Sequence, residues 1–377
     1  MSGVAPLSAG QRHGAALAAL GSSPTTLRRF LDGYDPVSAW EALARGRHRA
    51  DPHARYRAKA VPATVEAVSS ACARAGVDVV VIGSPGYPPA LAADHEAPAV
   101  LFVRGDLGVL DGRPRVAVVG TRSATPYGLR LATELGQELA ASGVVVVSGG
   151  ARGIDAAAHG GALGPAHGAP PVAVLGHAFD APTTRAQAAL YEAVAARGVL
   201  LSEIPPGVHS ARWWFAVRNR VMAALAHVVV VVECHVTGGS LYTVDAALDR
   251  GITVAAVPGS VRSPASRGTN RLLLDGATLV RDGADVLIAV ELAIATHPTL
   301  VAPRWPRTVP AAGPAARGRE LGALSRRVRR ALDHDPATLD TVVRRSGLPV
   351  GEVSLALEKL ADAGLAVGEQ GWWSRPR

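Results

Sequence analysis

Residues 116–155 read VAVVGTRSATPYGLRLATELGQELAASGVVVVSGGARGID. A β-branched run, Val116–Val119, ends in the turn Gly120-Thr121-Arg122-Ser123. A helical stretch, Tyr127–Ser142, leads into a second run, Val144–Ser148, which closes on Gly149-Gly150-Ala151-Arg152-Gly153-Ile154-Asp155. Two strands bridged by a helix form the unit from which parallel sheets are built. Both strands end in glycine- and arginine-bearing turns, and the strand ends of such sheets are where ligands bind.

The same alternation extends in both directions. Further strands are expected at Val79–Ile82, Val100–Val103, Val172–Leu175, Val199–Ser202, Val228–Val232, Thr253–Val257 and Thr278–Val280. Helical stretches fall between them at Ala186–Ala196, Trp213–Ala226 and Ser240–Arg250. The later strands are nearly continuous in Val and Leu, as parallel strands covered on both faces should be. The expected fold class is α/β, a Rossmann-like doubly wound and mostly parallel sheet, over residues 76–292.

Residues 1–75 read as a small helical domain, with Ser22-Ser23-Pro24 a helix start and Tyr34-Asp35-Pro36 a turn before the helix of Trp40 and Leu43. Residues 293–319 hold Pro298, Pro303, Pro306, Pro310 and Pro314, a semi-rigid linker. Residues 320–377 carry a helix before Asp335-Pro336, a second over Thr338–Arg345 and a third over about Val350–Ala363. Leu339, Val342, Val343, Leu348, Val353, Leu357 and Leu360 would interlock them. Gly364 through Gly371 to Trp372-Trp373 reads as a wing, making a winged helix-turn-helix by pattern.

The 377 residues leave room for two or three domains, and 48% hydrophobic content supports a large core. Aromatics are only 4%, so Ala, Val and Leu must fill it. Cys72 and Cys234 stand alone without metal-ligand spacing, which argues against a disulfide framework or a zinc site and for a reducing compartment. No run reaches the ~20 apolar residues of a membrane span, and the first residues lack a basic region followed by an apolar block; the cytosol is the expected location. Net charge is +8 and almost wholly arginine, since Lys59 and Lys359 are the only lysines. That balance favours polyanionic partners. The bias toward Ala, Arg, Gly, Pro and Val also matches GC-rich coding, so charge alone does not establish nucleic-acid binding.

Several strand-end turns suit phosphate. Glycines let backbone amides approach an anion closely, a following helix N-terminus adds partial positive charge, and arginine supplies forked donors. The candidate binding residues are Gly120, Thr121 and Arg122; Ser148, Gly149, Arg152 and Gly153; Arg218, Asn219 and Arg220; and Gly239 with Ser240 in Thr237-Gly238-Gly239-Ser240. Converging on one sheet edge, such turns make a groove rather than one mononucleotide pocket. Trp213, Trp214 and Phe215 could stack on unpaired bases, but core packing is the stronger reading of them.

Enzymatic signatures are missing. No GxGxxG turn with a distant acid, no P-loop, no GxSxG elbow and no HExxH is present, so no cofactor, metal or catalytic set is expected. Asp155 and His159 lie four apart on one helix face, a pair more often structural than catalytic. Glu203 and Glu233 end strands, where each could bind a base or ribose or anchor a loop arginine.

The ordered motifs resemble the DprA/Smf family. Val119-Gly120-Thr121-Arg122 with Tyr127-Gly128 is similar to its first motif, and Ser148–Asp155 with Ala158-His159 and Gly161-Ala162-Leu163 to its second. Ser202-Glu203 with Pro205-Pro206-Gly207, then Arg218-Asn219-Arg220, Gly239-Ser240-Leu241, Pro258-Gly259, Gly268-Thr269-Asn270 and Asp275-Gly276-Ala277, complete the order. The resemblance spans roughly Tyr87 to Val286. It implies a non-catalytic protein that binds and protects single-stranded DNA, loads the RecA recombinase in natural transformation, dimerises through the Rossmann-like domain and needs no cofactor. It also implies a SAM-like N-terminal domain, and places Arg122, Arg152, Asn219 and Arg220 in the DNA pocket with Gly239 and Ser240 near them.

Departures from the family pattern occur at Thr183-Thr184 and Gln187, where Tyr-Pro and Asn are usual. Arg185 remains where a basic residue is common and is the thirteenth candidate binding residue. Trp214-Phe215-Ala216-Val217 replaces Phe-Pro, and Gly21-Ser22-Ser23 replaces a Gly-x-Gly hairpin. The third helix of the winged domain carries Glu352, Glu358 and Asp362 against Lys359, so protein contact is expected there rather than a main DNA role. Two other readings compete: a Rossmann-type nucleotide phosphoribohydrolase and a winged-helix regulator with a sensory core.

Overall fold

A computed structural model describes residues 6–209, 211, 213–296, 323–332, 337–362, 365–369 and 372–375. The chain divides into two compact units, Met1–Pro306 and Arg307–Arg377. The stretch expected as a linker lies outside the described residues from position 297 onward, as do Gly364 and Gly371 of the expected wing.

The first unit begins with helices α1 (Ala9–Ala19), α2 (Pro24–Leu31), α3 (Pro36–Ala44) and α4 (Pro62–Ala75). Ser23 caps α2 through Thr26 N, and Asp35 caps α3 through Val37 N and Ser38 N, each with proline in the first turn. Such caps contribute about 1 kcal/mol apiece. Leu17, Phe30, Trp40 and Leu43 bury against Val79, Val81 and Phe102 of the sheet. The helical region is thus packed onto the sheet's edge within the same unit.

Nine strands form that sheet: β1 (Asp78–Val81), β2 (Val100–Gly105), β3 (Arg115–Val119), β4 (Val145–Ser148), β5 (Val172–Leu175), β6 (Val199–Ser202), β7 (Val228–Val231), β8 (Thr253–Ala256) and β9 (Thr278–Leu279). All nine expected strands are present. Their order is β1-β2-β6-β5-β4-β3-β7-β8-β9. β1, β2 and β6 are joined by antiparallel pairings; from β6 to β9 every neighbour is parallel.

Helices α5 (Pro89–Ala92), α6 (Pro126–Ala141), α7 (Ile154–Ala162), α8 (Arg185–Arg197), α9 (Trp214–Leu225), α10 (Leu241–Leu248), α11 (Arg267–Leu274) and α12 (Gly283–Thr296) follow in the chain. α6, α7 and α12 pack on one face against Val116, Val118, Val228 and Val230. α9 and α10 pack on the other against Ala117, Val119, Val229 and Val231. The four consecutive valines of β7 are therefore all fully buried, alternate ones serving opposite layers. Each contributes roughly 1.5–3 kcal/mol of burial.

The second unit contains α13 (Ala323–Ala331), β10 (Ala337–Thr338), α14 (Leu339–Ser346), α15 (Val350–Asp362), β11 (Val367–Glu369) and β12 (Trp372–Ser374). Val342, Val353, Leu357 and Leu360 are buried in its core, with Leu339, Val343 and Leu348 packed beside them. A sheet ordered β10-β12-β11 completes the winged helix-turn-helix.

Candidate nucleic-acid interface

Chain direction across the sheet reverses at β3 and β7, which are parallel neighbours; the chain leaves β3 for β4 on one side and β7 for β8 on the other. Loops leaving two such strands separate and open a crevice at their carboxyl ends. A cavity of about 430 Å³ sits there. Gly120, Thr121 and Arg122 line it from the turn after β3, Arg218 and Asn219 from α9, and Gly239 and Ser240 from the turn before α10.

The β3 turn is tied at several points. Thr121 N donates to the Glu233 carbonyl at 2.8 Å. The buried Glu233 carboxylate accepts Thr125 N at 2.9 Å and Thr125 Oγ1 at 2.6 Å. Glu233 thus holds this turn through Thr125 rather than through a loop arginine. Asn219 Nδ2 donates to the Gly239 carbonyl at 3.1 Å, joining α9 to the β7 turn, and Ser240 Oγ donates to Cys234 Sγ at 3.0 Å.

The β4 turn lies beneath. Ser148 Oγ donates to the Val118 carbonyl at 2.6 Å, and Ile154 N to the Thr121 carbonyl at 3.3 Å. Gly153 has φ +92°, and a Cβ there would collide with the Thr121 carbonyl. Only glycine lets the two turns close on each other. At Gly149 the missing side chain is replaced by the guanidinium of Arg218, which is buried, donates to the Val174 carbonyl and occupies the space a Cβ would need. Neither α7 nor α10 carries a side-chain cap; backbone carbonyls take their first amides instead, Thr121 that of Ile154 and Gly238 that of Leu241.

The arginines separate into different environments. Arg122 is exposed at the rim, its guanidinium 4.9 Å from the Phe215 ring centroid. Arg152 is exposed beside it and donates from Nε to the Arg122 carbonyl at 3.3 Å. Arg185 opens α8, exposed and outside the cavity lining. Arg220 turns away to Glu203, with which it forms a largely buried ion pair at 2.6 Å, and also bonds the Glu96 carbonyl at 2.6 Å. Seven of the thirteen candidate residues line the cavity, namely Gly120, Thr121, Arg122, Arg218, Asn219, Gly239 and Ser240. Ser148, Gly149 and Gly153 support it from below; Arg152, Arg185 and Arg220 do not line it.

Tyr242 and Thr243 also line the cavity. Neither stood among the candidate residues, yet both belong to the first turn of the helix that follows Gly239-Ser240. Phe215, read as core, lines the cavity too.

Burial dominates the local electrostatics. It raises the Asp155 carboxyl above its usual range, partly offset by the nearby Arg218 charge. It pulls the His159 imidazole down to about 4 and raises the Cys234 thiol. His159 does not line the cavity, and among the described hydrogen bonds none joins it to Asp155. The cleft presents the Arg122 guanidinium, the glycine turns and the Asp155 carboxyl in its lining.

Residues 78–291 match the family described as DNA recombination-mediator protein A, and residues 311–360 match the DprA winged helix domain. A DNA processing protein DprA of Mycobacterium tuberculosis is 42% identical over 279 residues, 74% of this chain and 68% of that one. Protein Smf of Escherichia coli is 34% identical over 293 residues, 77% of this chain and 75% of that one. The X-ray structure of DNA processing protein A from Streptococcus pneumoniae superposes with a TM-score of 0.63 at 30% identity, covering 72% of this chain and 95% of that chain. DNA processing protein A from Helicobacter pylori, described for its single-stranded DNA binding mode, gives 0.50 at 26% identity over 60% of this chain and 99% of that chain. With motif order, sheet topology and both domain matches in agreement, the chain belongs to the DNA recombination-mediator protein A family, the DprA/Smf proteins.

Proposed function

We propose that this chain is a non-catalytic binder of single-stranded DNA that protects incoming strands and helps load a RecA recombinase in transformation and recombination. The observation that carries the reading is the strand-end cleft, with exposed Arg122 at its rim above glycine turns and Asn219 and Ser240 in its lining. Phosphate oxygens fit this donor set. The Helicobacter pylori relative, described for binding single-stranded DNA, supports the same ligand.

The strand-end carboxylates that a phosphoribohydrolase would call on are already engaged, Glu203 by Arg220 and Glu233 by Thr125. This favours binding over hydrolysis, with no cofactor or metal taking part. The working unit is a homodimer in the cytoplasm. Support for a second copy comes from the sheet's edge strand β9, where Leu279 is exposed, as is Leu274 at the end of α11. Among the described residues no helix is long and apolar enough to cross a membrane. Nuclease challenge of a single-stranded oligonucleotide tests protection. The intact chain should shield it and Arg122→Ala should not; digestion at the same rate with and without protein would refute the proposal.

A further inference from the structure

Three aromatic residues run outward from the cleft at the start of α9. Phe215 lines the cavity under Arg122. Trp214 is half-buried, and Trp213 is 48% exposed. The two indoles stack with centroids 4.3 Å apart and planes 22° from parallel. Core packing does not account for this arrangement, because the outer indole is left half in water. Trp214 occupies one face of Trp213, so the exposed area falls on its edges and its other face. A stacked, part-buried neighbour also fixes the ring before any ligand arrives, which lowers the ordering cost of binding.

We propose that the Trp213–Trp214 stack is a platform for an unpaired nucleobase, continuing the phosphate cleft at its Phe215 end. The proposal rests on the single-strand reading above and adds what phosphate contacts do not supply. Phosphates are common to single strands and duplexes, so arginines and backbone amides position DNA without distinguishing the two. A base face can lie on an exposed indole only when it is unstacked and unpaired, and every base has such a face. The tryptophans therefore make the cleft selective for single strands while leaving it tolerant of sequence.

The test uses the full chain and three probes of equal length: an oligothymidylate, the same backbone carrying abasic sites, and a duplex. Wild-type protein should bind the oligothymidylate with quenching of tryptophan emission. Trp213→Ala should weaken that binding roughly 10-fold, leave abasic-strand affinity and the salt dependence unchanged, and abolish most of the quenching. Trp213→Phe should recover most of the affinity. Equal losses on thymidylate and abasic strands, or no loss on either, would overturn the platform while leaving the cleft reading standing. Loss of self-association with DNA affinity intact would assign the pair to a contact between copies and also overturn it. If wild-type protein binds no single strand at all, the functional reading fails first.

Discussion

Arg122 and Arg220 both stand in motifs suited to phosphate, and their surroundings separate them. On a helix, residues two apart point to nearly opposite sides. Arg218 therefore reaches under Gly149 while Arg220 faces Glu203 and the Glu96 carbonyl. The triplet Arg218-Asn219-Arg220 was legible as a cluster, but that both its arginines are held was not, because the Val174 carbonyl comes from β5, Glu203 from the end of β6 and Glu96 from the lead-in before β2. Arg220→Ala strands a buried carboxylate and should destabilise the fold by about 3 kcal/mol, read as a lower melting temperature. Arg122→Ala, at an exposed position, should change stability by less than about 0.5 kcal/mol yet lose DNA affinity. A matching fall in melting temperature for both would contradict the separation. Below the turns, His159 has its imidazole pulled to about 4 by burial. Its stabilising effect is complete above the ordinary histidine range and declines as pH drops toward about 4. Replacing His159 with Leu should flatten that acid-side decline, measured as melting temperature from pH 7 to pH 5.

The strand and helix pattern was legible in valine runs such as Val144–Ser148 and Val228–Val232. Parallel strands buried on both faces leave this continuous signature. The order of strands was less visible: β1 and β2 lie antiparallel beyond β6, a pairing made by residues about a hundred apart in sequence. The turns after β3 and β4 were recognisable as glycine-rich, but their mutual closure was not, since it depends on the Thr121 carbonyl meeting Gly153. Gly153→Ala forces an L-residue to φ +92° against that carbonyl. A cost of about 2 kcal/mol is expected, together with weaker DNA binding as the β3 turn is displaced from α7. Unchanged thermal unfolding and unchanged affinity would show the two turns to be independent.

For the whole molecule, family, sheet and winged unit were all readable from ordered motifs, whereas the aromatic edge of the cleft was not. Trp213, Trp214 and Phe215 carry the composition of core residues, and only the geometry exposes Trp213. Assembly is also decided at this scale. Among the described residues β9 has a neighbouring strand on one side only, and an edge strand with an exposed leucine invites another chain. Replacing Leu274 and Leu279 by Glu should convert a dimer to a monomer by light scattering; a wild-type chain that is monomeric at the same concentration would remove the basis for that expectation. The central claim is selective capture of single strands by the strand-end cleft, and it is tested most directly by binding isotherms for one sequence, single-stranded and duplex, over a range of salt. The expected result is tighter binding of the single strand at every salt, an affinity that falls steeply as salt rises, and a loss of roughly 10-fold or more with Arg122→Ala. Equal affinity for the two forms, or an Arg122→Ala protein that binds like the wild type, would contradict it.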